Sequence, residues 1–190
     1  MGDDGPRQLT VRPFRRRLGR YTAVFEAAEA SLIADLVDQV RQLLAGRRSE
    51  TPSDPLAELT GMTLGPSTRP EDPAVARLLP DFHADDADLS AGLRVLHEPD
   101  LIAAKDAAAV ALLDTLPRGG GQVRLDEEAA NCWISALNDV RLALGVRLEI
   151  TQDDALPPGA EDPESAEAAM YNTYRWLSAV QDSLVTALLD

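Results

Sequence analysis

Cysteine, aromatic residues and long apolar runs are all scarce in this sequence, and each scarcity excludes a class of protein. Cys132 is the single cysteine among 190 residues, so no disulfide can form within the sequence and nothing indicates an oxidising compartment. No apolar run approaches the roughly 18 residues that a membrane-spanning helix needs. The N-terminus also lacks the apolar core of a signal peptide. We therefore expect a cytoplasmic protein that has no contact with a membrane.

Sequence motifs for nucleotides and metals are missing as well. Neither G-x-x-x-x-G-K-[ST] nor G-x-G-x-x-G occurs, and the three glycines at 119–121 lack the strand and helix context of a phosphate loop. His83 stands among aspartates in DFHADDADLS, but the sixth position of an EF-hand would need glycine and the twelfth, here Gly92, would need glutamate. We expect no metal and no cofactor.

Positive charge is scarce overall but concentrated at one end. The formal net charge is −14, which opposes general binding to nucleic-acid phosphates. Within the first twenty residues, however, only Asp3 and Asp4 oppose a group of arginines. These arginines are Arg7, Arg12, Arg15, Arg16, Arg17 and Arg20. A local positive patch on an acidic chain can steer an acidic partner.

Leucine and alanine are abundant, and they favour helices. Apolar residues make up 45% of the chain and aromatic residues only 4%, and the length suits one domain. The apolar spacing predicts a mainly α fold, a single-domain bundle of four to five helices with a small N-terminal β-hairpin. The predicted segments within the domain 1–190 are a hairpin at 11–25, a helix at 26–46, a proline-rich crossing at 47–72, broken helices at 73–116, a helix at 126–148, an acidic loop at 149–162 and a helix at 163–189.

Local signals place the ends of these segments. Gly19 suits the left-handed position of a three-residue hairpin loop, and QVRL at 122–125 is a candidate for one more short strand. Pro99 should break or restart its helix. Asp126 is a predicted helix cap. An aspartate followed by proline is a suitable helix opening, and such pairs occur at 54–55, 72–73 and 162–163.

The stretch LNDVRLALGVRLEI at 137–150 sets polar residues among leucines. Asn138 and Arg141 share a helix face that points away from the core stripe, which indicates a second contact surface. Asp139 lies at a different angle and is predicted to pair with another segment. Its candidate partners are Arg94, Lys105 and Arg175. We interpret these groups as a structural polar network that aligns three helices, formed by Arg94, Asn138, Asp139 and Arg141.

A catalytic interpretation of the same stretch is the alternative. Asp139 would be the base and Arg141 an anion clamp, with help from Asn138 or His97. No serine or cysteine is spaced to act as a nucleophile beside them. We expect His97 to be structural or solvated and Cys132 to be an inert buried thiol.

Several segments together resemble the actinobacterial domain-of-unknown-function family 2017, over nearly the whole chain. They are EAAEASLIADLVDQVRQLL, ARLLPDFHADDAD, LRVLHEPDLIAAKDAA, VRLDEEAANCWISALNDVRLALGVRLEI and YNTYRWLSAVQDSLVTALL. The family typically has threonine at the position of His97 and no proline at Pro99. The resemblance implies no established activity. It implies a gene neighbour that encodes an adaptor of the caseinolytic protease, and for some members a label of transcriptional regulator.

These observations favour an uncharacterised, non-enzymatic regulatory or protein-interaction module. The predicted binding residues are Arg15, Arg16, Arg17 and Arg20. Their partner would be an acidic protein or a second copy of the chain. Two alternatives remain open: a small-molecule hydrolase or other enzyme centred on Asp139 and Arg141, and a DNA-binding transcriptional regulator that uses the arginine-rich hairpin.

Overall fold

Five helices and three short strands make up the described part of the chain. The computed structural model describes residues 12–50, 65–151 and 156–190. In chain order the elements are β1 (Arg15–Arg17), β2 (Arg20–Phe25), α1 (Ala27–Ser49), α2 (Pro73–Leu78), α3 (Ala87–Thr115), β3 (Gly121–Leu125), α4 (Glu127–Arg147) and α5 (Ala166–Leu189). The fold is therefore mainly α, as predicted. Residues 51–64 of the predicted crossing, with the pair at 54–55, lie outside the described residues. No described helix combines the length and apolar character that crossing a bilayer requires.

The three strands form one antiparallel sheet in the order β1-β2-β3. The candidate strand at 122–125 is confirmed as β3, which pairs with β2 so that Tyr21 lies opposite Leu125. Along β2 the side chains of Tyr21, Ala23 and Phe25 are buried, while the residues between them face outward. This alternation follows from the period of two in a strand, and it gives the sheet one face on the helices and one face in solvent.

The β1–β2 turn is tighter than the predicted three-residue loop. Arg17 pairs directly with Arg20, so only Leu18 and Gly19 connect the strands. Both have positive φ, 49° for Leu18 and 71° for Gly19. Two consecutive positive φ values define a type I′ turn, whose twist matches that of the strands it joins.

The predicted break at Pro99 is wrong, because α3 runs through this residue without interruption. Proline has no N–H to donate to the carbonyl four residues before it. The N–H of Gly65 takes its place and donates to the Val95 oxygen at 2.8 Å. Gly65 lies so close that a Cβ there would be 3.1 Å from the Pro99 ring. A residue of the crossing, Gly65, thus satisfies the carbonyl that proline leaves free.

Two other helix ends differ from the prediction. Helix α1 continues to Ser49 rather than ending at 46, because Arg47 is buried and bound by a residue of α3. Helix α5 begins at Ala166 rather than 163, because Ser165 accepts the N–H of Ala168 and caps the helix there. Capping by Asp126 is confirmed on α4.

Aromatic side chains join the inner sheet face to the helices. Trp133 of α4 is fully buried and stacks on Phe25 of β2, with ring centroids 5.8 Å apart. Phe14 meets both rings edge-on. Trp176 of α5 contacts Phe25 from another direction, at 6.4 Å. This contact set fixes the sheet on the helical body, so the orientation of the hairpin is determined by the core.

Gly120 is predicted to tolerate no side chain. Its φ is +77°, and a Cβ would lie 2.6 Å from the backbone nitrogen of Ala27 at the start of α1. Gly120→Ala should lower the free energy of unfolding by about 2–4 kcal/mol through left-handed strain and backbone overlap. Gly119→Ala is the matched control, since nothing lies within 4 Å of its Cβ position. Urea unfolding measures both, and equal effects would contradict the packing described.

Candidate functional site

A buried ionic cluster occupies the middle of α3, and we define it as Arg47, Arg94 and Glu98. Arg47 of α1 donates from Nε to one Glu98 oxygen at 2.8 Å, and Arg94 donates from Nη1 to the other at 2.6 Å. The exposed fractions of the three side chains are only 3%, 1% and 0%. Buried charges are tolerated only when they are paired and fully hydrogen-bonded. Both oxygens of Glu98 are occupied in this way.

The buried ionic cluster also holds the segments beside α3. Arg94 donates to the carbonyls of Leu79 and Pro80, both at 3.2 Å, and to Asp81 at 2.9 Å. Arg47 donates to the carbonyl of Thr68. The two guanidinium groups therefore tie the turns on both sides of α2 to the long helices, which is a structural role for Arg94.

Asp139 lies in a different contact, with Lys105. The Lys105 amine is 2.6 Å from one Asp139 oxygen, and the Asp139 side chain is 6% exposed. Burial raises the pKa of Asp139 above its ordinary value, while the hydrogen bond and the charge of Lys105 act in the opposite direction. Lys105 was one of the three partners that the sequence allowed. The pair joins α3 to α4.

Arg141 forms a third contact, with α5. Its guanidinium donates to the Ser178 hydroxyl at 2.8 Å and to the Gln181 side-chain oxygen, and it lies over the Tyr174 ring at 5.5 Å. Gln181 in turn donates to the carbonyl of Ile134 at 3.1 Å. The four residues of the predicted network thus do not meet at one place. Arg94, Asp139 and Arg141 each join a different pair of elements.

The remaining sequence candidates lie apart from one another. Asn138 is half-buried on α4 and forms no side-chain hydrogen bond within the described ranges. His97 is exposed on α3, with its ring 6.2 Å from Phe82. Asp139 and Arg141 have separate partners, so the geometry does not place a base beside an anion clamp. In 12–50, 65–151 and 156–190 no group of three or more potential ligands could hold a metal ion.

A groove lies between α1 and α4, beside the chain that enters α2. Its volume is about 780 Å³, and apolar side chains such as Val40, Val75 and Leu144 line it. At its rim Arg147 of α4 donates to Asp72 at 2.9 Å. The groove contains none of the predicted binding arginines, and its charged rim residues of both signs give no preference for one ligand charge.

Exposed arginines cover the solvent side of the sheet, which we call the outer sheet face. It consists of the turn residue Leu18 at one end and the outward residues of all three strands, Arg15, Arg17, Arg20, Thr22, Val24, Gln122 and Arg124. Arg20 forms an ion pair with Asp126 at 3.0 Å. Arg16 is exposed as well but lies on the other side of β1, opposite Tyr21. The hairpin therefore presents three of the four predicted binding arginines on one surface.

Two functional candidates on this surface were not found from the sequence. Arg124 joins the outer sheet face through β3, where Thr22 lies opposite it. The alternation of QVRL was the available signal, but pairing with β2 had to be known first. Leu18 lies at the tip of the hairpin, where the sequence predicts a loop but does not indicate that a leucine side chain is fully exposed.

The comparison with known proteins settles the family. The family model described as Domain of unknown function (DUF2017) matches residues 11–188. The chain belongs to this family. The match includes every described strand and nearly all of the last helix.

Curated relatives from mycobacteria align with most of this DUF2017 chain. A Mycobacterium tuberculosis protein (strain ATCC 25618 / H37Rv) named oxidative stress regulator AosR is 43% identical over 188 residues, which cover 90% of this chain and 83% of the relative. A Mycobacterium leprae protein named putative oxidative stress regulator AosR is 43% identical over 183 residues, with the same coverage. No solved structure matches the chain.

Neutralising Glu98 should destabilise the protein strongly. Glu98→Gln removes the buried counter-charge that the two guanidinium groups share and leaves them the partly exposed carboxylates of Asp81 and Glu50, so we expect a loss of about 3 kcal/mol in the free energy of unfolding. Glu50→Gln removes an ion pair with the same Arg47, but the Glu50 side chain is 58% exposed, so its loss should stay below about 1 kcal/mol. Urea unfolding measures both variants. A loss at Glu98 as small as that at Glu50 would contradict the clustered-charge description.

The ion pair at the groove should make stability depend on pH. Burial acts to raise the pKa of Asp72, but bonds from the N–H groups of Val75 and Ala74, with the charge of Arg147, outweigh it, and the net pKa is lowered. A lowered folded pKa stabilises the protein above the unfolded pKa and loses that effect as pH falls through the folded pKa.

Asp72→Asn keeps an N-cap side chain but removes the charge. The difference in stability between wild type and variant should therefore be largest near pH 7, at most about 1 kcal/mol because the pair is partly exposed. It should close as the pH falls below about 4. Urea unfolding at a series of pH values tests this, and a difference that persists unchanged into strong acid would refute it.

Proposed function

We propose that this chain is a cytoplasmic regulatory protein without catalytic activity, which acts by binding another protein through Arg15, Arg16, Arg17 and Arg20. The names of the mycobacterial relatives support a regulatory role. The partner is an acidic protein surface, because arginines on an acidic protein attract carboxylates and speed association with them.

The unpaired charge of the hairpin is the observation that carries this proposal. Arg15, Arg16 and Arg17 are exposed, and no carboxylate lies within 4 Å of them in the part of the chain that the structure describes. The whole chain has a net charge of −14, so carboxylates are abundant, and yet none in 12–50, 65–151 or 156–190 pairs with this strand. A positive surface left open in this way is suited to a carboxylate-rich partner.

Burial of the polar groups of α4 supports a scaffold role over catalysis. Asp139 is held by Lys105, and Arg141 by side chains of α5. A general base must reach a substrate proton within hydrogen-bonding distance, and Asp139, 4% exposed, offers little such access.

The cysteine content bears on how such a regulator could work. The names of the relatives refer to oxidative stress, but this sequence has only Cys132, which is partly buried on α4. An oxidant cannot close a disulfide within the sequence, because that requires two thiols. We therefore place the regulatory action in partner binding rather than in an internal disulfide.

Removing the hairpin charges should weaken partner binding. In affinity purification from native cells, the triple variant Arg15→Ala, Arg16→Ala and Arg17→Ala should bind about one tenth or less of the partner that wild type binds. The reason is that exposed charges at the edge of an interface govern the rate of association. Its unfolding midpoint should stay near that of wild type, because the three side chains are exposed. Quantitative mass spectrometry of the purified complexes provides the measurement.

A matched control removes the same charge elsewhere. Arg48, Arg77 and Arg118 are exposed residues far from the hairpin in sequence, and their joint replacement by alanine should leave the bound partner unchanged. If both triple variants retain the same proteins as wild type, the hairpin has no binding role. If wild type instead binds duplex DNA with an affinity that falls steeply with salt, the DNA-binding alternative replaces the proposal.

A further inference from the structure

The outer sheet face carries two features that are unfavourable for the isolated protein. Arg17 and Arg20 lie directly opposite each other across the hairpin. Like charges in this position destabilise a pair of strands. Leu18 has a φ of 49°, a region that residues with a branched or bulky side chain avoid, and its side chain is fully exposed at 104%. Asp126 pairs with Arg20 at 3.0 Å, but within the described residues no carboxylate pairs with Arg17 and the Leu18 side chain remains in solvent.

Both features become favourable when a partner covers the face. A partner carboxylate beside Arg17 would form a charge-assisted hydrogen bond with it and offset the repulsion from Arg20. An apolar partner surface would remove Leu18 from water. Residues that are unfavourable for the stability of the isolated protein, and that no local contact compensates, are expected at functional sites.

The dimensions of the outer sheet face indicate the shape of the partner. Three strands spaced by about 4.8 Å give a width near 10 Å between the outer strands, which matches the diameter of about 10–12 Å of one α-helix. Leu18 and Val24, the latter 41% exposed, mark the two ends of the face. Six residues of extended chain separate them by about 20 Å, close to four turns of a helix.

Apolar and charged residues occupy different parts of the outer sheet face. Two apolar points lie at the ends, and Arg15, Arg17, Arg20 and Arg124 lie between or beside them. An acidic amphipathic helix offers the complementary pattern, with a leucine stripe for the ends and glutamates for the guanidinium groups. Duplex DNA offers phosphates but no apolar stripe, and the charge of −14 on the whole chain repels it.

We propose that the outer sheet face binds an acidic amphipathic helix of the partner protein, with Leu18 as the apolar anchor and Arg124 as an additional charged contact. This inference rests on the proposed function and adds the chemistry of the partner. The strained turn is retained because the hairpin must present a leucine at its tip, where asparagine before Gly19 would form the more stable type I′ turn.

The variant Leu18→Asn separates folding from binding. Asn-Gly is the favoured sequence of a type I′ turn, so this variant should unfold at the same temperature as wild type or a higher one. The binding probe is a fluorescein-labelled peptide of 24 residues, which as a helix is about 36 Å long. Leucines alternate at intervals of three and four residues along it, and glutamate occupies most other positions. Fluorescence anisotropy with the full chain should give a dissociation constant about tenfold higher or more for Leu18→Asn than for wild type.

Two controls accompany this variant. Leu189→Asn changes another exposed leucine, 83% exposed at the end of α5, and should bind the peptide as wild type does. A second peptide with alanine in place of every leucine keeps the charge and the helix propensity, and it should bind wild type about tenfold more weakly. Arg124→Ala should weaken binding of the first peptide and reduce the salt dependence of its affinity.

Each other outcome would overturn the inference. Equal binding of the peptide by wild type and Leu18→Asn removes the anchor, and equal binding of the two peptides reduces the contact to charge alone. If wild type does not bind the leucine peptide, the face does not bind such a helix. Tighter binding of a 20-base-pair DNA duplex would assign the face to DNA. Concentration-dependent self-association that Leu18→Asn abolishes would assign it to a second copy of the chain. The proposed function fails separately, when the triple arginine variant retains its partner in native purification.

Discussion

The carboxylate of Glu98, enclosed between two guanidinium groups, is the contact on which the architecture depends. Arg47 comes from the end of α1 and Arg94 from the preceding turn of α3, and each takes one oxygen. The same arginines bind the carbonyls of Thr68, Leu79 and Pro80. One buried negative charge thus coordinates two long helices and the chain on both sides of α2. Removal of Glu98 leaves its two guanidinium groups with the partly exposed carboxylates of Asp81 and Glu50, and removal of either arginine leaves one buried Glu98 oxygen without its donor.

The hairpin is held on the helices by aromatic packing and not by the buried ionic cluster. Phe14 and Phe25 insert into the aromatic cluster around Trp133, so the inner side of the sheet is fixed by packing. The core packing does not involve the outer side, so that side can carry residues such as Leu18 that are unfavourable in the isolated protein. An exposed leucine at positive φ and two facing arginines are tolerated there because the core supplies the stability that they lack.

Much of the fold follows from local rules in the sequence, and its exceptions arise from contacts between distant segments. Asp126 caps α4 as its spacing predicts, because capping involves only neighbouring N–H groups. Pro99 does not break α3, because Gly65, far away in the sequence, supplies the missing donor. The extension of α1 past Gly46 has the same kind of cause, in the pairing of Arg47 with Glu98.

The site residues, too, divide into those predictable from local sequence and those that depend on contacts between distant segments. The exposure of Arg15, Arg16 and Arg17 is consistent with their charge and with the excess of arginine over acidic residues in this part of the sequence. The partner of Asp139 could be narrowed to three residues, but choosing Lys105 required the packing of α3 against α4. Arg124 reached the outer sheet face only through strand pairing, which no local pattern specifies.

Simultaneous replacement of the buried ionic cluster tests the central claim, that its charges build the scaffold and take no part in binding. The variant Arg47→Met, Arg94→Met and Glu98→Leu has no buried charge left unpaired, so urea unfolding should recover most of the stability that any single replacement loses. Native partner binding should equal that of wild type, because the hairpin is unchanged. A variant that folds as stably as wild type but no longer retains the partner would contradict the account, since the cluster itself would then be the functional site.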